Sequence, residues 1–347
     1  MKFITYEYEG NREVGLICRG GTLVLPLRSL GFDFADMNDV IERACDKCLA
    51  RMREAVSAVD AAGTGEASGE KSDAAVLEKS CVAFDKVKLL APIPNPRQEV
   101  ICVGVNYLEH AYESARYKKE AFDGTRPDPV FFCKRCSEAT GEGGIIDGHF
   151  DIQNTLDYES EIAVIIRRDA YQVSCEDAKD YIFGYTVCND VTAREFQKKY
   201  KQFYVGKSLD TFTCMGPWIV TPDELEAVSA ARVSAAGSAS ADAALANASA
   251  PAGTAESSAE TPFLSLDIKS FVNGELRQNS NTSLMIFDIP YLIRELSAGM
   301  TLKSGTIIST GTPSGVGMGM DPPGFMHSGD TVECYVEGIG TLTNTVK

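Results

Sequence analysis

One stretch constrains this chain more than any other. In "LDYESEIAVII", residues 156–166, Glu159 and Glu161 stand directly before the apolar run Ile162–Ile166. Such a run, rich in β-branched residues, reads as a strand entering a core. Alternate residues of a strand share a face, so the two glutamates point the same way. Like charges that close repel unless a proton or a cation lies between them. A third acid, Asp190, closes another apolar strand, "YIFGYTVCND". Three carboxylates at strand ends would make a hard-oxygen set suited to Mg²⁺ or Mn²⁺. The spacing alone is equally compatible with one glutamate being a solvated edge residue.

Around this strand the pattern is mostly β. Residues 1–35 alternate apolar and polar between glycine turns, a small meander. Residues 34–56 carry helical spacing at Val40, Ile41, Ala44, Cys48 and Met52, and 57–76 read as a loose solvated loop. The proline-rich "LLAPIPNPRQEV" (89–100) reads as a linker. It divides the chain into a small N-terminal α+β domain, 1–92, and a larger domain, 93–347. Within the second, 145–220 read mostly as strand, with a helix start at "VSCEDAKDYI", and "FVNGEL" signals a hairpin through Asn273-Gly274. Of the 34 residues 227–260, 15 are Ala and 7 are Ser, a low-complexity insertion expected to be disordered or weakly helical and without a catalytic role.

Other residues could carry chemistry. In "NYLEHAYE", His110 and Glu113 lie three apart, neighbours on one helix face, so the carboxylate can orient the imidazole as a general base. The same pair can also be an ordinary surface contact, and the only other histidines are His149 and His327. Two Cys-x-x-Cys pairs, Cys45/Cys48 and Cys133/Cys136, would make a zinc site if brought together, or are buried and incidental thiols; a thioredoxin-like redox role lacks the expected context around the motif. "GTPSGVGMG" (311–319) lacks the lysine of a phosphate loop and reads as a tight turn.

Six motifs in order identify the chain as resembling the fumarylacetoacetate hydrolase family: "VGVNYLEHAYE", "PVFFCKRCSEATGEGG", "LDYESEIAVII", "GYTVCNDVTAREFQ", "GKSLDTFTCMGPW" and "STGTPSGVG". The resemblance covers roughly 98–220 and 262–347. It implies a mainly β fold with α elements, a mixed β-roll or β-sandwich catalytic domain behind the N-terminal domain. It implies one Mg²⁺ or Mn²⁺ per subunit on Glu159, Glu161 and Asp190, catalysis by His110, Glu113 and Lys207, and substrate contacts from Arg194, Gln197, Thr312 and Lys134. Glu195, the "CKRC" segment and Cys214 depart from the family's usual residues. They bear on loop geometry and substrate, and not on the metal site.

The implied chemistry is hydrolysis of a C–C bond in an acylpyruvate-like 2-oxo acid. Decarboxylation of oxaloacetate and isomerisation of the 2-hydroxyhepta-2,4-diene-1,7-dioate type use the same enolate, and a catalytically silent metal-binding protein is the non-enzyme alternative. A formal net charge of −16 argues against nucleic-acid partners and requires a locally positive site for any anionic substrate. No secretory start and no apolar run of the roughly 18–20 residues that span a bilayer is visible. With eleven cysteines the expectation is a reduced, cytoplasmic protein, and the family makes a homodimer the default.

Overall fold

The computed structural model describes residues 1–64, 71–126, 128–239 and 262–347. Two twisted sheets carry the fold. The larger runs, edge to edge, through Val82–Ala83, Leu23–Pro26, Asn11–Cys18, Lys2–Tyr8, Thr213–Val220, Ile182–Asp190, Ser160–Ile166, Ile307–Ser309, Val100–Gly104 and Val130–Lys134. All neighbours are antiparallel except Ile307–Ser309 with Val100–Gly104. The smaller sheet runs Glu275–Asn281, Asp267–Val272, Thr331–Val336, Gly340–Val346 and Ile145–Ile146. The architecture is mainly β with α elements, two open sheets rather than a closed barrel. Asn273 and Gly274 form the hairpin tip, both with positive φ (52° and 77°).

The strand Ser160–Ile166 sits near the centre and is buried along its whole length. Its alternate residues Ile162, Val164 and Ile166 pack between the two sheets, with Val187, Ile268, Val332 and Leu342. Ala163 and Ile165 enter a second core with Met37, Val40, Ile41 and Met52 of the helices Met37–Arg43 and Asp46–Thr64. Burial on both faces is why the run is continuously apolar instead of alternating. The N-terminal meander continues the same sheet, with Lys2 opposite Val220 and Phe3 opposite Ile219. The proline segment packs against it, Thr5 donating to the Pro92 carbonyl at 2.6 Å.

Several local expectations are corrected. The helix expected over 34–56 is two helices, broken where Ala44 adopts an extended conformation. The second runs on to Thr64, and another occupies Lys71–Ser80, where a solvated loop was expected. The Ala, Glu and Lys content that looked loose is also strong helix-forming content, and Val59, fully buried, docks the extension. "VSCEDAKDYI" forms one 3₁₀ turn, Ala178–Tyr181, while Arg194–Tyr200 is a short helix that the strand pattern hid. The start of the Ala/Ser segment is anchored. It lies in the helix Pro222–Ala239, where Ser229 accepts from the Ser265 N–H (2.8 Å) and Arg232 pairs with Asp267 and Glu337, each at 2.6 Å. Residues 240–260 lie outside the described residues.

Asn106 ties the parts that surround the cavity. It is fully buried and donates to the Phe287 and Thr310 carbonyls (2.9 and 2.8 Å) while accepting from the Phe287 N–H (2.8 Å). One side chain thus joins the end of Val100–Gly104, the end of Ile307–Ser309 and the approach to the helix Ile289–Ser297. Its neighbour Val105 is held at φ 57°, a left-handed conformation that costs a β-branched residue on the order of 1–3 kcal/mol. Asn106→Ala is expected to destabilise the protein by about 3 kcal/mol, because three buried backbone groups lose their partner. Urea unfolding measures it, and a near-unchanged midpoint would contradict this account.

Candidate active site

The register builds the acid cluster. Ser160 lies opposite Asn189 and Glu161 opposite Cys188, and the Asp190 N–H donates to the Glu159 carbonyl at 2.9 Å. Glu159, Glu161 and Asp190 therefore face one side at the end of adjacent strands. Their carboxylate oxygens lie within 4.8 Å of one another, and all three residues are buried. Neither glutamate is a solvated edge residue. Among the described residues this is the one group of three or more ligand-type side chains so placed, and the two Cys-x-x-Cys pairs do not converge into a zinc site.

Cations crowd the trio. Lys207, at the end of the short helix Tyr204–Lys207, contacts both Glu159 (2.7 Å) and Asp190. Arg194 bonds Glu159 at 2.6 Å through Nη1 and Asp157 at 2.8 Å through Nε. Lys134 donates to Asp190 (2.6 Å) and to the Phe212 carbonyl (2.8 Å). Lys134 is fully enclosed and stands there as a counter-charge to Asp190.

Four buried carboxylates, counting Asp157, thus meet three buried cations. The imbalance falls on Glu161. Burial, then Asp190 and Glu159, raise its pKa to about 8. Glu159 goes the other way: burial opposes its charge, but Lys207, Arg194 and His110 outweigh it and hold the pKa at about 2. The paired Lys207 and Arg194 are both held up by their acids against burial. Three convergent oxygen donors with surplus negative charge fit a hard divalent cation.

A cavity of about 450 Å³ reaches the trio at Glu159 and is lined also by His110, Arg194, Gln197, Lys207 and Thr312 among others. His110 Nδ1 meets Glu113 at 2.9 Å. A carboxylate only accepts, so Nδ1 carries the hydrogen and Nε2 is left as the basic nitrogen. Glu113 is itself fixed by the Gly315 N–H at 3.0 Å. Gln197 accepts from Arg194 (3.3 Å), whose Nη2 is buried without a protein partner. Thr312 accepts from Gln278 (2.7 Å) and donates to the Ser160 carbonyl (2.9 Å), so its hydroxyl hydrogen is already committed. His149 and His327 are not among the lining residues.

The glycine-rich segment does more than turn the chain. Besides Gly315 on Glu113, the Gly317 and Met318 N–H groups donate to Asp157 (2.7 and 3.0 Å). Gly311 N–H and Ser309 Oγ donate to Glu161 (2.8 and 2.5 Å). At Gly319 a Cβ would fall 1.9 Å from Glu113 Oε1, so no side chain fits while that carboxylate stays. Asp157, Ser309, Gly311, Gln278 and this backbone escaped the sequence reading. Asp157 is in the quoted motif itself, and its parity with Glu159 and Glu161 was the available signal.

A family model described as fumarylacetoacetate (FAA) hydrolase C-terminal matches residues 99–347. The chain belongs to the fumarylacetoacetate hydrolase family. Oxaloacetate tautomerase YisK of Bacillus subtilis is 42% identical over 265 residues, 76% of this chain and 74% of that protein. The fumarylacetoacetate hydrolase of psychrophilic Exiguobacterium antarcticum superposes with a TM-score of 0.71 at 32% identity, covering 100% of this chain and 99% of the other. Maleylpyruvate hydrolase from Sphingobium sp. SYK-6, solved with manganese(II) and pyruvate, gives a TM-score of 0.64 at 26% identity over 100% and 98% of the two chains. Among the described residues no helix is long and apolar enough to cross a membrane.

Glu159→Gln, Glu161→Gln and Asp190→Asn should each abolish most Mn²⁺ binding in calorimetric titration, since each replaces an anionic ligand by a neutral amide. Unchanged binding in all three would place the ion elsewhere. In chelator-treated protein the pH dependence has a definite sign. A carboxyl raised to about 8 against ~4.3 for a free glutamate stabilises the fold below the lower value and loses that contribution as pH climbs through the upper one. Glu159 acts in the opposite sense, below pH ~4. The melting temperature of Glu161→Gln should therefore fall less between pH 5 and pH 9, roughly the window those values bracket, than that of the parent.

Proposed function

We propose that the protein is a divalent-metal-dependent enzyme that interconverts the keto and enol forms of a small 2-oxo dicarboxylic acid, with oxaloacetate the first candidate. The observation that carries the reading is that a carboxylate-backed imidazole, His110, and Glu159 of the buried carboxylate trio line one cavity together with Lys207 and Arg194. The 42% identity to a protein named oxaloacetate tautomerase favours this reaction over C–C hydrolysis.

Glu159, Glu161 and Asp190 would hold Mg²⁺ or Mn²⁺, and the manganese in the maleylpyruvate hydrolase structure supports that choice. When bound, the ion supplies Lewis-acid charge to the oxygens of a 2-oxo acid and so acidifies the adjacent C–H. His110 Nε2 takes the proton from that carbon, and Glu113 on Nδ1 stabilises the imidazolium. Lys207 adds positive charge where the enolate oxygen develops. Return of the proton from Nε2 to that oxygen, rather than to carbon, completes the tautomerisation. At the mouth, Lys118, Lys198 and Lys201 line the cavity and are exposed. In a protein of net charge −16 they form a local positive field, suited to drawing in a dianion.

Hydrolysis is the second reading, favoured by the likeness to a fumarylacetoacetate hydrolase and a maleylpyruvate hydrolase. There His110 would take its proton from water, and the enolate would be the leaving group. Decarboxylation of oxaloacetate would use the same enolate without His110.

His110→Ala should lower kcat for oxaloacetate tautomerisation by on the order of 10²–10⁴ and leave Mn²⁺ binding intact. Enol absorbance and calorimetry read the two. A kcat/KM for acylpyruvate cleavage far above that for tautomerisation would overturn the first reading in favour of the second, and turnover of neither substrate would overturn both. Lys198→Glu with Lys201→Glu should raise KM for oxaloacetate several-fold at low salt, with the effect shrinking as salt is added. An unchanged KM would remove the mouth from substrate capture.

A further inference from the structure

We propose that Cys45 and Cys48 form a reversible dithiol–disulfide site, in which Cys45 attacks a low-molecular-weight disulfide and Cys48 resolves the adduct. The two Sγ atoms lie 3.3 Å apart, reduced and in contact, at the start of the helix Asp46–Thr64. Cys45 is exposed and Cys48 partly buried, so one sulfur is open to a reagent while the other waits behind it.

The helix start explains why these two residues differ. The Leu49 N–H donates to the Cys45 carbonyl at 3.0 Å, which makes Cys45 the N-cap residue. Backbone N–H groups of a first helical turn lack helical partners, and an N-cap side chain takes up one of them from the third helical residue. Here that residue is Cys48. Its N–H, followed by its S–H, pulls the Cys45 thiol below the ordinary range, and backbone donors at Lys47 and Cys45 add to this. The Cys48 thiol is pushed up by the Cys45 sulfur and by burial, so it keeps its proton until the exchange begins.

The other nine cysteines all go the opposite way. Cys18, Cys81, Cys102, Cys133, Cys136, Cys175, Cys188, Cys214 and Cys334 are raised, burial being the largest cause in each. The second Cys-x-x-Cys pair shares the spacing but not the setting, since Cys133 lies in the strand Val130–Lys134 with no helix start beneath it. An accessible thiolate next to a resolving thiol is the arrangement that oxidises reversibly.

The exchange balances in two steps. The Cys45 thiolate attacks one sulfur of a disulfide R–S–S–R, the S–S bond breaks, and RS⁻ leaves. Cys48 then gives its proton to a thiolate in solution and attacks Cys45 Sγ, and the second RS⁻ leaves. The protein dithiol is oxidised by two electrons, and the disulfide is reduced to two thiols.

Glutathione redox buffers test this on the full-length protein. Trypsin cuts after Arg43, Lys47 and Arg51, so the two cysteines fall on separate peptides, 44–47 and 48–51. After equilibration and acid trapping, oxidising buffer should yield these peptides covalently joined, and reducing buffer should separate them. Cys48→Ser should accumulate glutathione on Cys45, whereas Cys45→Ser should not accumulate it on Cys48. In limiting iodoacetamide at neutral pH, Cys45 should alkylate on the order of tenfold faster than any other cysteine of the folded protein. Failure to join the peptides at any glutathione ratio, or equal adduct formation in the two serine variants, would overturn the proposal. None of these readouts depends on turnover of a 2-oxo acid.

Discussion

The structure depends on one electrostatic constraint: four carboxylates held out of water at the mouth of a strand that is buried on both faces. Isolated buried charges are too costly to survive folding. Everything near Glu159, Glu161 and Asp190 answers that cost. Lys207, Arg194 and Lys134 come from three different segments, and backbone N–H groups come from a fourth. The sheet order follows from the same need. Ile182–Asp190 and Ile307–Ser309 flank Ser160–Ile166, which brings Asp190 from one side and Ser309 from the other to the same two glutamates. The surplus negative charge left over is what suits the cluster to an added cation, and what leaves Glu161 reluctant to ionise without one.

Charge is also organised at longer range. The exposed lysines at the cavity mouth stand against a chain of net charge −16. Lys118, Lys198 and Lys201 there outnumber the one exposed acid among the lining residues, Glu120. A local excess of cations on a protein of opposite net charge favours approach of an anion at that point over the rest of the surface.

Much of the site was legible because its residues sit at short, regular spacings. Two acids two apart before an apolar run, an acid at the end of the next strand, and a histidine–glutamate pair one helical turn apart each follow from local geometry. Lys207 and Arg194 were reached only through resemblance, since nothing in "YVGKSLD" or "TAREFQ" reveals that both converge on Glu159. What stayed hidden is tertiary. Lys134 pairs with Asp190, and no periodicity in its own strand reveals that partner. The helical extension over 57–64 was missed because polar, alanine-rich sequence serves both a solvated loop and a helix docked there by Val59.

The segment from Ser309 to Gly319 holds Glu161 at one end, Asp157 and Glu113 at the other, and Thr312 between. Loops ordinarily tolerate insertion and drift. Here Ser309 and Gly311 hold Glu161 while Gly315 holds the imidazole's partner, so a change in length between them would displace one relative to the other. New specificities on this scaffold are therefore expected to arise by exchange at the exposed mouth, while this loop behaves as a ruler whose length is not free to evolve.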